Sequence, residues 1–236
     1  METISENLNY IQKQIAIACK KSGRKPDQVR LLAVSKTKPA SAVVAAINGG
    51  QLLFGENRVQ EARDKISLVA EEVDSTNVEW HLIGPLQRNK VKVAVNLFTM
   101  VHSVDSVDLA IELNRRALKS RPMPVLVQVN VGREPQKSGF LAEAVTYAIK
   151  QMAELPGIKV KGLMTIPPAT DSAEEARPYF RELAQLAKTI NGLKIPGIDM
   201  AELSMGMSHD YMVAVEEGAT LVRVGSAMFG ARDYNI

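Results

Sequence analysis

Apolar residues return at Ile4, Leu8, Ile11, Ile15 and Cys19, a spacing that predicts one amphipathic helix over 3–22. Ser22-Gly23-Arg24-Lys25-Pro26 ends it, with a glycine where the chain turns and a proline that cannot continue the helix. From there two patterns alternate. Short, nearly unbroken apolar runs at 30–36, 52–56, 79–84, 100–104, 124–131, 160–166, 202–206 and 221–228 predict strands. Helical periodicity at 39–48, 57–72, 87–96, 106–119, 140–154, 173–190 and 209–217 predicts the segments between them. Continuous apolar strands such as Pro124-Val125-Leu126-Val127-Gln128-Val129-Asn130-Val131 indicate parallel strands covered on both faces. Eight β/α units behind a leading helix predict an α/β chain folded as a single TIM barrel. An open, doubly wound sheet is the alternative. The first strand is not followed by a GxGxxG turn, which weakens a dinucleotide-binding reading.

Composition narrows the picture little. The 236 residues, 46% hydrophobic and 23% charged, suit one large core. They are expected to form one domain over 1–236, with residues 1–25 packed on the barrel; the short stretch after the last strand leaves no room for another domain. A net charge of +3 is too weak to argue for nucleic acid. The excess sits early: residues 1–38 hold eight Lys/Arg against three Asp/Glu, a local +5 that reads as a solvated face. Cys19 is the single cysteine, so an intrachain disulfide is excluded, in keeping with a reducing compartment. No N-terminal signal-like segment and no membrane-length apolar stretch is present, so a cytoplasmic protein is expected.

Candidate chemistry gathers at the predicted strand ends, where barrel active sites lie. Lys36 closes the first strand. An amine at the tip of an apolar strand pairs with an anion, loses its proton or bonds covalently to a carbonyl; the plain alternative is a lysine that snorkels outward. The seventh strand runs into Met205-Gly206-Met207-Ser208 and the eighth into Gly225-Ser226. Two donor-rich loops at those places predict a phosphate site, although Ser208 would also serve as a helix N-cap. Arg223 lies inside the eighth strand and cannot shed its proton, so it needs an acceptor: Glu202 or Asp199 in a structural ion pair, or a ligand. His81 and His102 read as satisfied core histidines. Ser208-His209-Asp210 is too compact for a hydrolase triad, and no His/Cys/carboxylate spacing suggests a metal.

The segments Leu32-Ala33-Val34-Ser35-Lys36-Thr37-Lys38-Pro39, Phe54-Gly55-Glu56-Asn57, Glu79-Trp80-His81-Leu82-Ile83-Gly84-Pro85-Leu86-Gln87, Lys137-Ser138-Gly139, Leu203-Ser204-Met205-Gly206-Met207-Ser208 and Val222-Arg223-Val224-Gly225-Ser226-Ala227-Met228-Phe229-Gly230-Ala231-Arg232 together resemble the YggS/PROSC family of pyridoxal-phosphate homeostasis proteins. The resemblance spans nearly the whole chain. It implies a barrel like the N-terminal domain of alanine racemase (pyridoxal-phosphate fold type III). It also implies pyridoxal 5'-phosphate held as a Schiff base on Lys36 and Arg223 facing the pyridine nitrogen. By the same carry-over Ser204, Gly206, Met207, Ser208, Gly225 and Ser226 surround the phosphate, and Asn57, His81 and Met164 line the pocket. A role in vitamin B6 supply and amino-/keto-acid balance follows, with PLP-dependent apo-enzymes as partners and a monomeric carrier rather than a turnover enzyme. An arginine at the ring nitrogen leaves it unprotonated and a poorer electron sink. A weakly active amino-acid racemase is the second reading, and a Schiff-base aldolase acting on a sugar phosphate is the third.

Overall fold

A computed structural model describes residues 3–117 and 121–231. Helix α1 (Ile4–Lys21) opens the chain, capped by Thr3, whose side chain accepts from the Glu6 amide while Glu6 reaches back. The strands β1 (Arg30–Val34), β2 (Leu53–Glu56), β3 (Glu79–Leu82), β4 (Met100–Val104), β5 (Met123–Gln128), β6 (Ile158–Met164), β7 (Glu202–Met207) and β8 (Leu221–Val224) follow in order. All neighbours pair in parallel and the sheet closes as a barrel, β8 returning to β1 with Leu32 opposite Arg223. The open-sheet alternative is thereby overturned.

Between the strands run α2 (Ala40–Asn48), α3 (Val59–Glu72), α4 (Val91–Leu97), α5 (Val107–Arg116), α6 (Ala142–Ala153), α7 (Arg177–Gly192) and α8 (Tyr211–Glu216). The last two residues of the helix expected over 106–119, and Arg232 of the final motif, lie outside the described residues. The strand expected over 221–228 stops at Val224, and Ser226–Phe229 form a short helix, α9. Its apolar residues mimic a strand because Met228 is buried, but Asn7 Nδ2 donates to the Met228 carbonyl and ties this turn to α1.

The two faces of the strands explain the continuous apolar runs. Leu32, Val34, Leu53, Ile83, Met100, Leu126, Met164 and Leu221 form one buried cluster, while Leu31, Ala33, Phe54, Trp80, Leu82, Val101, Val125 and Val127 join a larger one with the helices. With side chains alternating along each strand, the first set fills the barrel and the second lies between sheet and helices. Lys36 and Arg223 continue the inward series of β1 and β8, two residues beyond Val34 and Leu221. Gly162 allows β6 and β7 to close: a Cβ there would meet the Glu202 carbonyl oxygen at 1.8 Å. Helix α1 packs on α8 and α9, next to the β8–β1 seam. Arg24 Nη1 adds a 2.7 Å bond to the Val215 carbonyl.

Candidate functional site

A cavity of about 750 Å³ opens at the C-terminal ends of the strands, within the roughly 300–1,000 Å³ range of small-molecule sites. Its wall carries Lys36, Lys38, Asn57, Lys137 and Arg223, together with Met207, Ser208, Gly225 and Ser226. Among the described residues that line it there is no aspartate or glutamate. Lys137 is paired with Glu134 just outside the lining, but three amines and a guanidinium on one wall still favour an anionic occupant.

Lys36 is set by a buried scaffold behind β1. The Ser35 hydroxyl donates to Glu56 Oε1 at 2.7 Å, and Lys65 Nζ donates to the Ser35 carbonyl at 2.6 Å and to Glu56 at 2.7 Å. Lys65 also reaches Glu61 Oε1 at 3.1 Å, and the same oxygen accepts from the Thr37 amide. Thr37 has φ 63°, a left-handed conformation uncommon for a non-glycine residue. The residues on either side of Lys36 are thus held by one polar cluster, which fixes the direction in which the amine leaves the strand. Burial raises the Glu56 carboxyl above its usual range, against the pull of Lys65 and Ser35. Its second oxygen has no hydrogen-bond partner among the described residues. Sequence reasoning gave Glu56, Glu61 and Lys65 no role: a polar residue at a strand end is ordinary, and a charged residue on a helix normally faces water. A lysine at 65 on the inner stripe of α3, with Val59, Ala62 and Val69, was the available signal.

Opposite stands Arg223, almost fully buried. Nη1 donates to Ser204 Oγ at 2.7 Å and Nη2 to the Thr165 carbonyl at 2.8 Å. Neither carboxylate considered from sequence pairs with it; Glu202 instead bonds Arg30 at 2.8 Å. Burial pulls the guanidinium down to about 10, partly offset by Asp210. Neutral oxygens hold the cation in place and Arg223 remains part of the cavity wall.

The loops after β7 and β8 meet beside it. Ser208 does not cap α8, whose N-cap is Asp210. Ser208 Oγ accepts from the Gly225 amide at 3.2 Å and the Ala227 amide at 3.3 Å, joining the two loops. Asp210 Oδ1 accepts from the Met207 amide at 2.6 Å. Gly206 has φ +89°, and a Cβ there would lie 2.5 Å from that of Ala214. A glycine is therefore required for α8 to seat behind the loop.

Of the residues singled out from sequence, Lys36, Asn57, Met207, Ser208, Arg223, Gly225 and Ser226 face the cavity. His81, Met164, Ser204 and Gly206 are buried beneath or behind its wall. Lys38 and Lys137 join the wall: Lys38 Nζ donates to the Ala231 carbonyl at 2.8 Å and Lys137 Nζ to the Pro167 carbonyl at 2.9 Å. Both lie in motifs visible in the sequence, but loop conformation decides where such long side chains point. Among the described residues no His/Cys/Asp/Glu group could hold a metal ion, and no helix is long and apolar enough to cross a membrane.

The fold and the strand-end cavity define a class, the barrels of the alanine racemase N-terminal domain, whose family pattern matches residues 7–233. The alanine racemase of Corynebacterium glutamicum superposes with a TM-score of 0.70 at 14% identity, covering 97% of this chain and 63% of that one; this is a likeness of fold alone. Within the class, the pyridoxal phosphate homeostasis protein of Vibrio alginolyticus is 42% identical over 236 residues, all of both chains. PipY of Synechococcus elongatus PCC7942, solved with PLP bound, is 37% identical with a TM-score of 0.83, covering 97% of this chain and all of that one. The chain belongs to the family of pyridoxal phosphate homeostasis proteins.

Proposed function

We propose that this protein binds pyridoxal 5'-phosphate in the strand-end cavity, linked to Lys36 as a Schiff base. In this reading it serves vitamin B6 homeostasis and amino-/keto-acid balance without sustained turnover. The observation that carries the reading is one cavity that brings Lys36, Arg223 and the loops after β7 and β8 together. The residues present fit the group. Its aldehyde needs an amine, its phosphate needs donors on a glycine-lined loop, and its ring nitrogen needs a partner at the far end.

Each part of the chain has a definable task. The Lys65–Glu56–Glu61 cluster orients Lys36. The Gly225 and Ala227 amides and the Ser208 hydroxyl already converge where the two loops meet. Arg223 would donate to the ring nitrogen and, being a guanidinium, cannot hand over its proton. Bound pyridoxal phosphate supplies an electron sink for amino-acid chemistry, and an unprotonated ring nitrogen weakens that sink. Of the tyrosines at 10, 147, 179 and 211, none lines the cavity. A tyrosine base of the kind a two-base racemisation uses is thus not among the described lining residues. We take the whole chain, 1–236, as one cofactor-binding domain, monomeric and cytoplasmic, with PLP-dependent apo-enzymes as recipients.

A weakly active amino-acid racemase is the competing reading. The test is to load the protein with pyridoxal phosphate, remove excess and follow the absorption band together with the optical purity of added amino acids. The proposal expects a bound cofactor band, absent in Lys36→Ala, and no racemisation. Sustained racemisation that disappears in Lys36→Ala would replace it with the enzyme reading.

A further inference from the structure

A polar line crosses the otherwise apolar barrel interior beneath the cavity. Arg223 Nη1 meets Ser204 Oγ at 2.7 Å, and Ser204 Oγ meets His102 Nδ1 at 2.9 Å. His102 Nε2 meets His81 Nδ1 at 2.9 Å, and His81 Nε2 faces Glu79 Oε2 at 3.5 Å. The four groups from Arg223 to His81 come from β8, β7, β4 and β3 and are almost wholly buried. Glu79 begins β3 at the opposite rim, half exposed. There it lines a second groove, of about 500 Å³, together with Arg30, Gln12 and Asp27. The line therefore joins two openings on opposite ends of the barrel.

With both rings neutral, the carboxylate end fixes every hydrogen along the line. A guanidinium can only donate, so Ser204 Oγ accepts from Arg223. A carboxylate can only accept, so Glu79 draws a hydrogen onto His81 Nε2. Burial holds both imidazoles neutral, assisted at His102 by His81, Arg223 and Arg30 and opposed at His81 by Glu79 and Glu202. A neutral ring carries one hydrogen and one lone pair. The sequence is then forced: Ser204 O–H donates to His102 Nδ1, His102 Nε2–H donates to His81 Nδ1, and His81 Nε2–H points to Glu79. No proton changes owner. Each bond polarises the next in the same sense, so negative charge at Glu79 is felt at Ser204 Oγ, where the cation is held.

We infer that Glu79, His81, His102 and Ser204 are positioning residues for Arg223, a one-way hydrogen-bond line that orients the guanidinium at the cavity and couples it to a carboxylate on the far rim. The inference deepens the cofactor reading and rests on it only for what Arg223 meets, the ring nitrogen. It explains why a buried cation in a strand can stand among neutral oxygens. It also gives His81 and His102 a task that packing alone does not require.

The test begins on cofactor-free protein labelled with nitrogen-15 histidine. There are three histidines, and the exposed His209 serves as the reference. The line predicts that His81 and His102 each carry hydrogen on Nε2 and none on Nδ1. Glu79→Ala, at the exposed end, is expected to shift both rings toward a mixture of the two neutral forms. The change at His102 decides, because His102 does not touch Glu79. A second arm uses protein loaded with pyridoxal phosphate. Ser204→Ala is expected to displace the bound absorption band and weaken affinity about tenfold or more, and Ser204→Thr, which keeps a hydroxyl, to restore the band. Hydrogen on Nδ1 of either ring, an imidazolium, or His102 signals untouched by Glu79→Ala would overturn the line. Failure of the protein to take up pyridoxal phosphate would instead overturn the cofactor reading, and the nitrogen spectra would still decide the line.

Discussion

At the residue scale, the fold concentrates its cost in a few buried polar groups. His102 is fully enclosed and its imidazole is held well below the ordinary 6.5. Unfolding releases a ring that takes a proton, so the unfolded state binds more protons than the native one below that pH. The contribution of His102 to stability is therefore present above 6.5 and is lost as pH falls below it, by up to about 1.4 kcal/mol per pH unit. Urea denaturation across this range should show the loss, and His102→Gln should show less of it. Glu56 has the opposite sign. Its folded value is raised above 4.5, so its contribution is fully present below 4.5 and is lost as pH rises through the folded value. Lys65 offsets that loss. Lys65→Met leaves the carboxylate uncompensated and is expected to cost about 3–5 kcal/mol near neutral pH, with the penalty shrinking in acid as Glu56 takes up a proton. Denaturation midpoints of the variant at two pH values check both statements. Lys36 and Arg223 were legible because a charge inside an apolar strand is conspicuous. The histidine line was not: the sequence places His81 and His102 on neighbouring strands, but only the register of β3, β4 and β7 brings their nitrogens and Ser204 into contact.

At the scale of elements, the sequence located all eight strands because each is an apolar run bounded by polar turns. It overextended β8, since Ser226-Ala227-Met228-Phe229 has the same apolar character as a short helix folded back on α1. The N-cap alternative for Ser208 falls, because its hydroxyl ties the loop after β7 to the loop after β8. Composition cannot distinguish a hydroxyl that caps its own helix from one that binds a neighbouring loop. Gly206 is the hinge of this arrangement. Gly206→Ala must adopt a left-handed φ and press on Ala214, at an expected cost of about 1–3 kcal/mol. The turn would move with it. The variant should bind pyridoxal phosphate more weakly than the unaltered chain, and titration calorimetry on both proteins measures it. Binding equal to that of the unaltered chain would mean that this loop does not hold the anion.

At the scale of the whole molecule, the barrel separates two duties. The inner apolar cluster and the helix-facing core supply the closed frame, and the C-terminal rim carries a cavity lined by Lys36, Lys38, Lys137 and Arg223. The order of β/α units made the frame predictable, since eight parallel strands in a chain of 236 residues have few other ways to bury both faces. The cavity was half legible. Its anchors follow from strand ends, whereas Lys38 and Lys137 enter through loops whose path no pattern encodes. Those two amines make the decisive experiment specific. The protein is saturated with pyridoxal phosphate, reduced with borohydride, digested and mapped by peptide mass. The account predicts the reduced cofactor on Lys36, with Lys36→Ala folded and unlabelled. A label carried by Lys38 or Lys137, or none on a protein that has bound the cofactor, would contradict it.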